Sequence, residues 1–174
     1  MRIGSVMIDF NLFGIDGKFY SLRDFIGFPV LILIVSCNHC PYVKAYEDRM
    51  IELQDKYLHR GVRLVAINPN NENTHPEDSF ANMVRRAKEK NFNFPYLRDT
   101  RQMLVKALNA RFTPEVYLFD SARKLRYYGA IDDNWNNPQK TKRHYLKDAI
   151  EAVLAEKLVV QEKTTAVGCT IKWL

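Results

Sequence analysis

Two cysteines separated by two residues, Cys37-Asn38-His39-Cys40, follow closely on the apolar run Pro29 to Val35. Thiols at that spacing can close a small disulfide ring and reopen it. Helical positions three apart lie over one another at about 5–6 Å, within the Cα separation of about 4.4–6.8 Å that a disulfide tolerates. The chemistry such a pair suits is exchange with another disulfide. If a helix opens at the first cysteine, its unsatisfied N–H groups and dipole favour a thiolate there. A cysteine that titrates near ~8.5 can then fall to about 3.5–7.5. This makes Cys37 the expected nucleophile and Cys40, a turn further in, the expected resolving thiol. His39 can place positive charge near the sulfurs and so tune their redox balance. Pro41 suits a first helical turn, where a missing N–H costs nothing.

Other chemistries fit the cysteines less well. Structural zinc takes four ligands, commonly from two closely spaced pairs, and no second pair exists. His59, His75, His144 and Cys169 are scattered singly along the chain, so no metal site is expected. Cys169 falls in step with Val167, Ile171 and Trp173 at a spacing of two, on the apolar side of an extended tail. It reads as a buried structural thiol, with a third redox partner as the other reading.

The elements that must position the pair are legible from periodicity. Pro29 to Val35 reads PVLILIV, a continuous β-branched run suited to a strand buried on both faces. Val43, Tyr46, Met50, Leu53 and Tyr57 then recur every three or four residues among charged ones, which predicts an amphipathic helix. Gly61 closes it, and Val62 to Asn68 supplies a second buried strand, completing a β-α-β crossover with a parallel sheet. Upstream, Ile8 to Phe13 and Lys18 to Leu22 flank a glycine-containing turn and read as a hairpin. Downstream, Thr74 and Glu77 match a capping box that opens a helix to about Lys90. Phe94 to Leu97 is extended, Thr100 to Ala110 helical, Val116 to Asp120 and Lys124 to Gly129 form a hairpin, and a helix follows from Tyr145. The expectation is one α/β domain over residues 1–174, with a mixed sheet, an N-terminal hairpin extension over 1–27 and an extended tail over 158–174.

At 174 residues the chain can bury about 70% of its unfolded surface in one core. The net charge is +6, but the basic residues alternate with acids, as in Arg85, Arg86, Lys88, Glu89 and Lys90. That is a solvated face rather than a nucleic-acid stripe. No apolar run is long enough to span a bilayer, and Met1 to Phe10 lacks the pattern of a secretory signal. A cytoplasmic protein with no nucleic-acid or membrane partner is therefore expected.

With its motifs in place, the chain resembles the thioredoxin-like superfamily, in particular its peroxiredoxin-like, redoxin-type branch related to alkyl hydroperoxide reductases. The resemblance rests on Cys37-Asn38-His39-Cys40-Pro41, on Arg111-Phe112-Thr113-Pro114-Glu115, on Gly129 to Trp135, and on the tail Gly168 to Trp173. It implies a mixed central sheet flanked by helices and a cis bond before Pro114. It also implies that Thr113 and Pro114 dock an extended substrate strand beside the sulfurs. Trp135 and the residues Asp132 to Asn134 read either as a rim of the site or as a capped turn with an exposed aromatic. The chain departs from thioredoxins in having Ser36 and an aliphatic residue such as Leu31 where they carry a tryptophan and a buried acid. It departs from peroxiredoxins in having Ile34 and Val30 where they carry a threonine and a proline that shape the peroxide site. The expected activity is thiol–disulfide exchange without a bound cofactor, acting on protein or small-molecule disulfides and reset by a thiol reductant. The alternatives are a thiol peroxidase using Cys37, or a redox-sensing or metal-binding module on the same fold.

Overall fold

The computed structural model describes all 174 residues. Strands β1 (Leu12–Gly14) and β2 (Phe19–Tyr20) form the expected hairpin. Strand β3 (Val30–Val35), helix α1 (Pro41–Leu58) and strand β4 (Val62–Asn68) make the β-α-β unit, β3 and β4 pairing in parallel from Val30↔Val62 to Val35↔Ile67. Helix α2 (Phe80–Lys90) leads to β5 (Tyr96–Arg98), and α3 (Met103–Leu108) to the short strand β6 (Phe112–Thr113). Strands β7 (Glu115–Phe119) and β8 (Leu125–Gly129) form the second hairpin, followed by α4 (Tyr145–Leu154) and, in the tail, β9 (Cys169–Thr170).

The main sheet has seven strands in the order β2-β1-β5-β4-β3-β7-β8. Its centre, β5-β4-β3, is parallel and both edges are antiparallel. The mixed sheet flanked by helices is as the sequence reading expects. All six residues of β3 are buried, because helices cover both faces of the sheet and leave no wet side. Val30, Ile32 and Ile34 pack with Tyr46, Met50 and Tyr57 of α1 and with residues of α2 and α4. Leu31, Leu33 and Val35 pack with Leu104, Val105 and Leu108 of α3, and with Phe10 and Phe25. At about 1.5–3 kcal/mol for each fully buried aliphatic side chain, this strand anchors the site at its C-terminal end. Gly61, at φ +79°, makes the turn into β4. A Cβ there would stand 2.7 Å from Pro29 Cδ.

Three local expectations differ in detail. Helix α1 begins at Pro41, not Cys37, with Cys40 extended at φ −64°, ψ 125° as its N-cap. The residue before a proline is driven out of the helical region by the ring, so Pro41 fixes the boundary. The Thr74/Glu77 capping box does not form. A 3-10 turn spans Pro76–Asp78, and α2 starts at Phe80 with Ser79 accepting from Asn82 N. On α1, Glu47 and Gln54 are buried among the apolar residues. Glu47 pairs with Arg86 of α2, and Gln54 bonds Val62 O and Leu64 N of β4, which satisfies both polar ends. No helix is long and apolar enough to cross a membrane.

Candidate active site

Strand β3 ends at Val35 and delivers Ser36 to Cys40 onto a bent loop ahead of α1. Two independent forces hold that loop out of the helix. Pro41 excludes Cys40, and Asn38 is pinned on three sides. Its N–H donates to Asp78 Oδ1 at 2.6 Å, its Nδ2 to Glu77 O at 3.0 Å, and its Oδ1 accepts from Tyr96 Oη at 2.8 Å. Asp78 is fully buried and also accepts from Asn70 Nδ2 at 2.7 Å. His39 Nδ1 lies 2.7 Å from Asp78 Oδ2, and the His39 ring stacks on His75 with centroids 5.7 Å apart. Thus His39 stands beside Cys37, as expected, but its near partner is a carboxylate.

Both sulfurs of the pair are enclosed, Cys37 being 2% exposed and Cys40 0%. Cys37 Sγ is 3.5 Å from Thr113 Oγ1, and Cys40 Sγ lies 3.3 Å from Thr113 O. The Thr113–Pro114 bond is cis, as the resemblance implies. Within the pair the downward shift falls on the inner sulfur. The hydrogen bond from Cys37 brings the Cys40 thiol down to about 4, helped by the Cys169 thiol and by the Val43 and Cys169 N–H groups. The same bond to Cys40, burial and the Asp78 carboxylate push Cys37 well up. The sequence expectation placed the acidified thiol at Cys37. Hydrogen bonding within the sulfur cluster lowers Cys40 instead.

Thr113, expected to receive a substrate strand, already has a neighbour. Strand β9 pairs with β6 antiparallel, Thr113 opposite Cys169. The approach is so close that a Cβ on Gly168 would stand 2.2 Å from Thr113 O; only glycine fits. Of the tail stripe read from the sequence, Ile171 is buried and Cys169 partly so, while Val167 and Trp173 are exposed. Pro114 and Trp135 share the lining of one cavity of about 200 Å³ with Val167. The Trp135 ring lies 4.5 Å from that of Tyr42. Arg49 fixes the rim loop by donating to Asp132 Oδ2 and to the carbonyls of Asn134 and Trp135.

Two contacts of the pair have no signature along the sequence. Asp78 supplies the buried acid that the strand before the cysteines lacks, but it comes from a 3-10 turn 40 residues away from its Asn38 partner. The capping box read at Thr74 and Glu77 does not point to Asp78. The contact of Cys169 with Cys40 spans 129 residues and has no local signature. As for metals, Cys37, His39 and Asp78 bring one ligand atom each within 4.8 Å of one another. Asp78 is already committed to two amide donors, which leaves such a set short of the four ligands of a structural zinc.

The sequence model of the AhpC/TSA family matches residues 3–128. The chain is similar to a hypothetical protein from Sinorhizobium meliloti 1021, with 31% identity, TM-score 0.94, and coverage of 100% of this chain and 96% of that one. It is similar to an uncharacterized conserved protein from Geobacillus kaustophilus, with 35% identity, TM-score 0.94, and coverage of 99% and 93%. A thiol:disulfide interchange protein of the thioredoxin family from Chlorobium tepidum TLS shares the fold, at 18% identity, TM-score 0.67, and coverage of 88% and 98%. No curated protein sequence matches.

Proposed function

The chain belongs to the AhpC/TSA family and carries a thioredoxin-like fold, and from that premise we propose that it is a thiol–disulfide oxidoreductase working through Cys37 and Cys40. The observation that supports this reading is the convergence of both sulfurs on one residue, Cys37 Sγ at 3.5 Å from Thr113 Oγ1 and Cys40 Sγ at 3.3 Å from Thr113 O. Cys37 is the thiol that meets the substrate. Its sulfur attacks the substrate disulfide, and its proton passes through Cys40 to the departing substrate thiolate. The Cys40 thiolate then attacks the Cys37 sulfur, closing the protein disulfide and expelling the second substrate thiolate. Two electrons leave the dithiol and one substrate disulfide is reduced. An extended substrate strand would dock on Thr113 and Pro114 where β9 now lies. In a reducing compartment such as the cytoplasm, net reduction of substrates is the expected direction, with an external thiol resetting the pair.

A peroxidase needs polar groups shaping the peroxide beside its cysteine. Positions 30 and 34 instead hold Val30 and Ile34, whose side chains sit in the core with α1, which favours exchange. Trapping tests the assignment. Cys40→Ser is expected to accumulate covalent partners from lysate through Cys37, and Cys37→Ser not to. Equal trapping by both variants, or by neither, refutes the assignment, and rapid turnover of hydrogen peroxide by the wild type favours the peroxidase.

A further inference from the structure

Three sulfurs, not two, gather around Thr113. Cys169 Sγ stands 2.6 Å from Cys40 Sγ, nearer than unbonded sulfurs pack and not far beyond the disulfide length of about 2.05 Å. This meeting is built, not incidental. Gly168 lets the tail lie directly on the Thr113–Pro114 peptide. Ile171 is buried to 3% exposure and its N–H donates to Arg111 O. Lys172 N donates to Asn70 Oδ1 at 2.9 Å, while Gln102 Nε2 donates to Lys172 O at 2.9 Å. Cys169 thereby occupies the place on β6 that a docked substrate strand takes, with its sulfur against the inner thiol. Its partial exposure also sets it apart from Cys37 and Cys40, which are sealed.

We propose that Cys169 is a third redox thiol, to which the disulfide first closed at Cys37–Cys40 migrates, leaving a Cys40–Cys169 disulfide at the edge of the site. This rests on the thiol–disulfide reading above. In the transfer a bond forms between the Cys169 and Cys40 sulfurs and the Cys37–Cys40 bond breaks. The Cys169 proton moves to the Cys37 sulfur, and no electrons enter or leave. Cys37 is returned as a free thiol while the oxidising equivalent sits where an external thiol can reach it. Attack by that thiol on Cys169 releases Cys40, and a second external thiol completes the reduction. The tail therefore acts as an internal substrate of the pair.

Disulfide mapping of the full chain tests this. The wild type is equilibrated with oxidised and reduced dithiothreitol, its free thiols are alkylated at low pH, and it is digested with trypsin. The expected product joins the peptide Asp24–Lys44, which contains Cys37 and Cys40, to Thr164–Lys172, which contains Cys169. Fragmentation should place the link at Cys40. Cys37→Ser should still form it and Cys40→Ser should lose it. If oxidised wild type holds only an intrapeptide Cys37–Cys40 bond, with Cys169 fully alkylated, the third-thiol proposal is overturned and the dithiol reading survives. If no disulfide forms under any poise, both fall.

Discussion

Replacing Asp78 by alanine should unbuild the loop that carries the cysteines. The carboxylate is fully buried and accepts from Asn38 N at 2.6 Å and Asn70 Nδ2 at 2.7 Å, with His39 Nδ1 at 2.7 Å from its second oxygen. Hydrogen bonds to a charged acceptor contribute about 1.5–3 kcal/mol each. Deleting one side of a buried charged network costs about 3–5 kcal/mol, because the donors left behind remain dry. Taking that range for Asp78→Ala, and about 2–4 °C per kcal/mol for a chain of this size, the melting temperature of the reduced protein should fall by about 6–20 °C. Asp78→Asn keeps one acceptor oxygen and the shape, and should fall by less than half as much. The two variants share one electrostatic effect. With the Asp78 charge gone, a contribution that pushes the Cys37 thiol upward disappears, so the reduced form is favoured and the pair becomes more oxidising. Thermal denaturation and a glutathione redox titration read both quantities. A melting point for Asp78→Ala within about 3 °C of the wild type, or a potential for Asp78→Asn that moves in the reducing direction, would refute the claim that this acid shapes and tunes the site.

Two further outcomes follow from the same geometry. Gly168→Ala puts a Cβ 2.2 Å from Thr113 O and 2.7 Å from Thr113 C, a clash with backbone that the tail can relieve only by lifting. At a cost of about 1–3 kcal/mol, alkylation of Cys169 should accelerate by about tenfold, as ~1.4 kcal/mol implies; an unchanged rate would show that the strand pair does not depend on this glycine. Cys40 has its pKa depressed from 9.0 to about 4. Its contribution to stability is therefore present above the ordinary thiol value and lost as pH falls through about 4. Cys169, raised to about 11, contributes below its ordinary value and loses that contribution as pH rises through about 11. The melting-temperature gap between reduced wild type and Cys40→Ser should thus widen as pH rises from 4, and ultraviolet thiolate absorbance should persist in the wild type well below neutral pH. A flat gap, or a thiolate that appears only near pH 9, would refute the placement of the charge on Cys40.

Much of the frame was legible because it is local. The apolar run of β3, the three- and four-residue rhythm of α1 and the two hairpins each follow from neighbours along the chain. The cysteine spacing was equally plain. The start of α1 was readable too, since the ring of Pro41 bars Cys40 from helical torsions, but the thiol spacing drew the boundary three residues early. Asp78 was not legible, nor was the contact of Cys169 with Cys40, although a redox role was one of the two readings of that thiol. Each reaches the loop across a long separation, through a 3-10 turn in one case and a paired tail in the other, and nothing in a window of sequence reports such an approach. Glu47 illustrates the same limit in the core. Its place among charged residues suggested a wet helix face, and only Arg86 arriving from α2 makes its burial tolerable.

The missing side chain at position 168 ties two neighbours into one unit of inheritance. A lineage that exchanges this glycine for anything bulkier loses the berth for its tail, and the adjoining thiol then has nothing to gain by persisting. Substitutions at 168 and 169 should therefore travel together through the descendants of this chain. The width of a single hydrogen atom sets which of them can keep three sulfurs in one place.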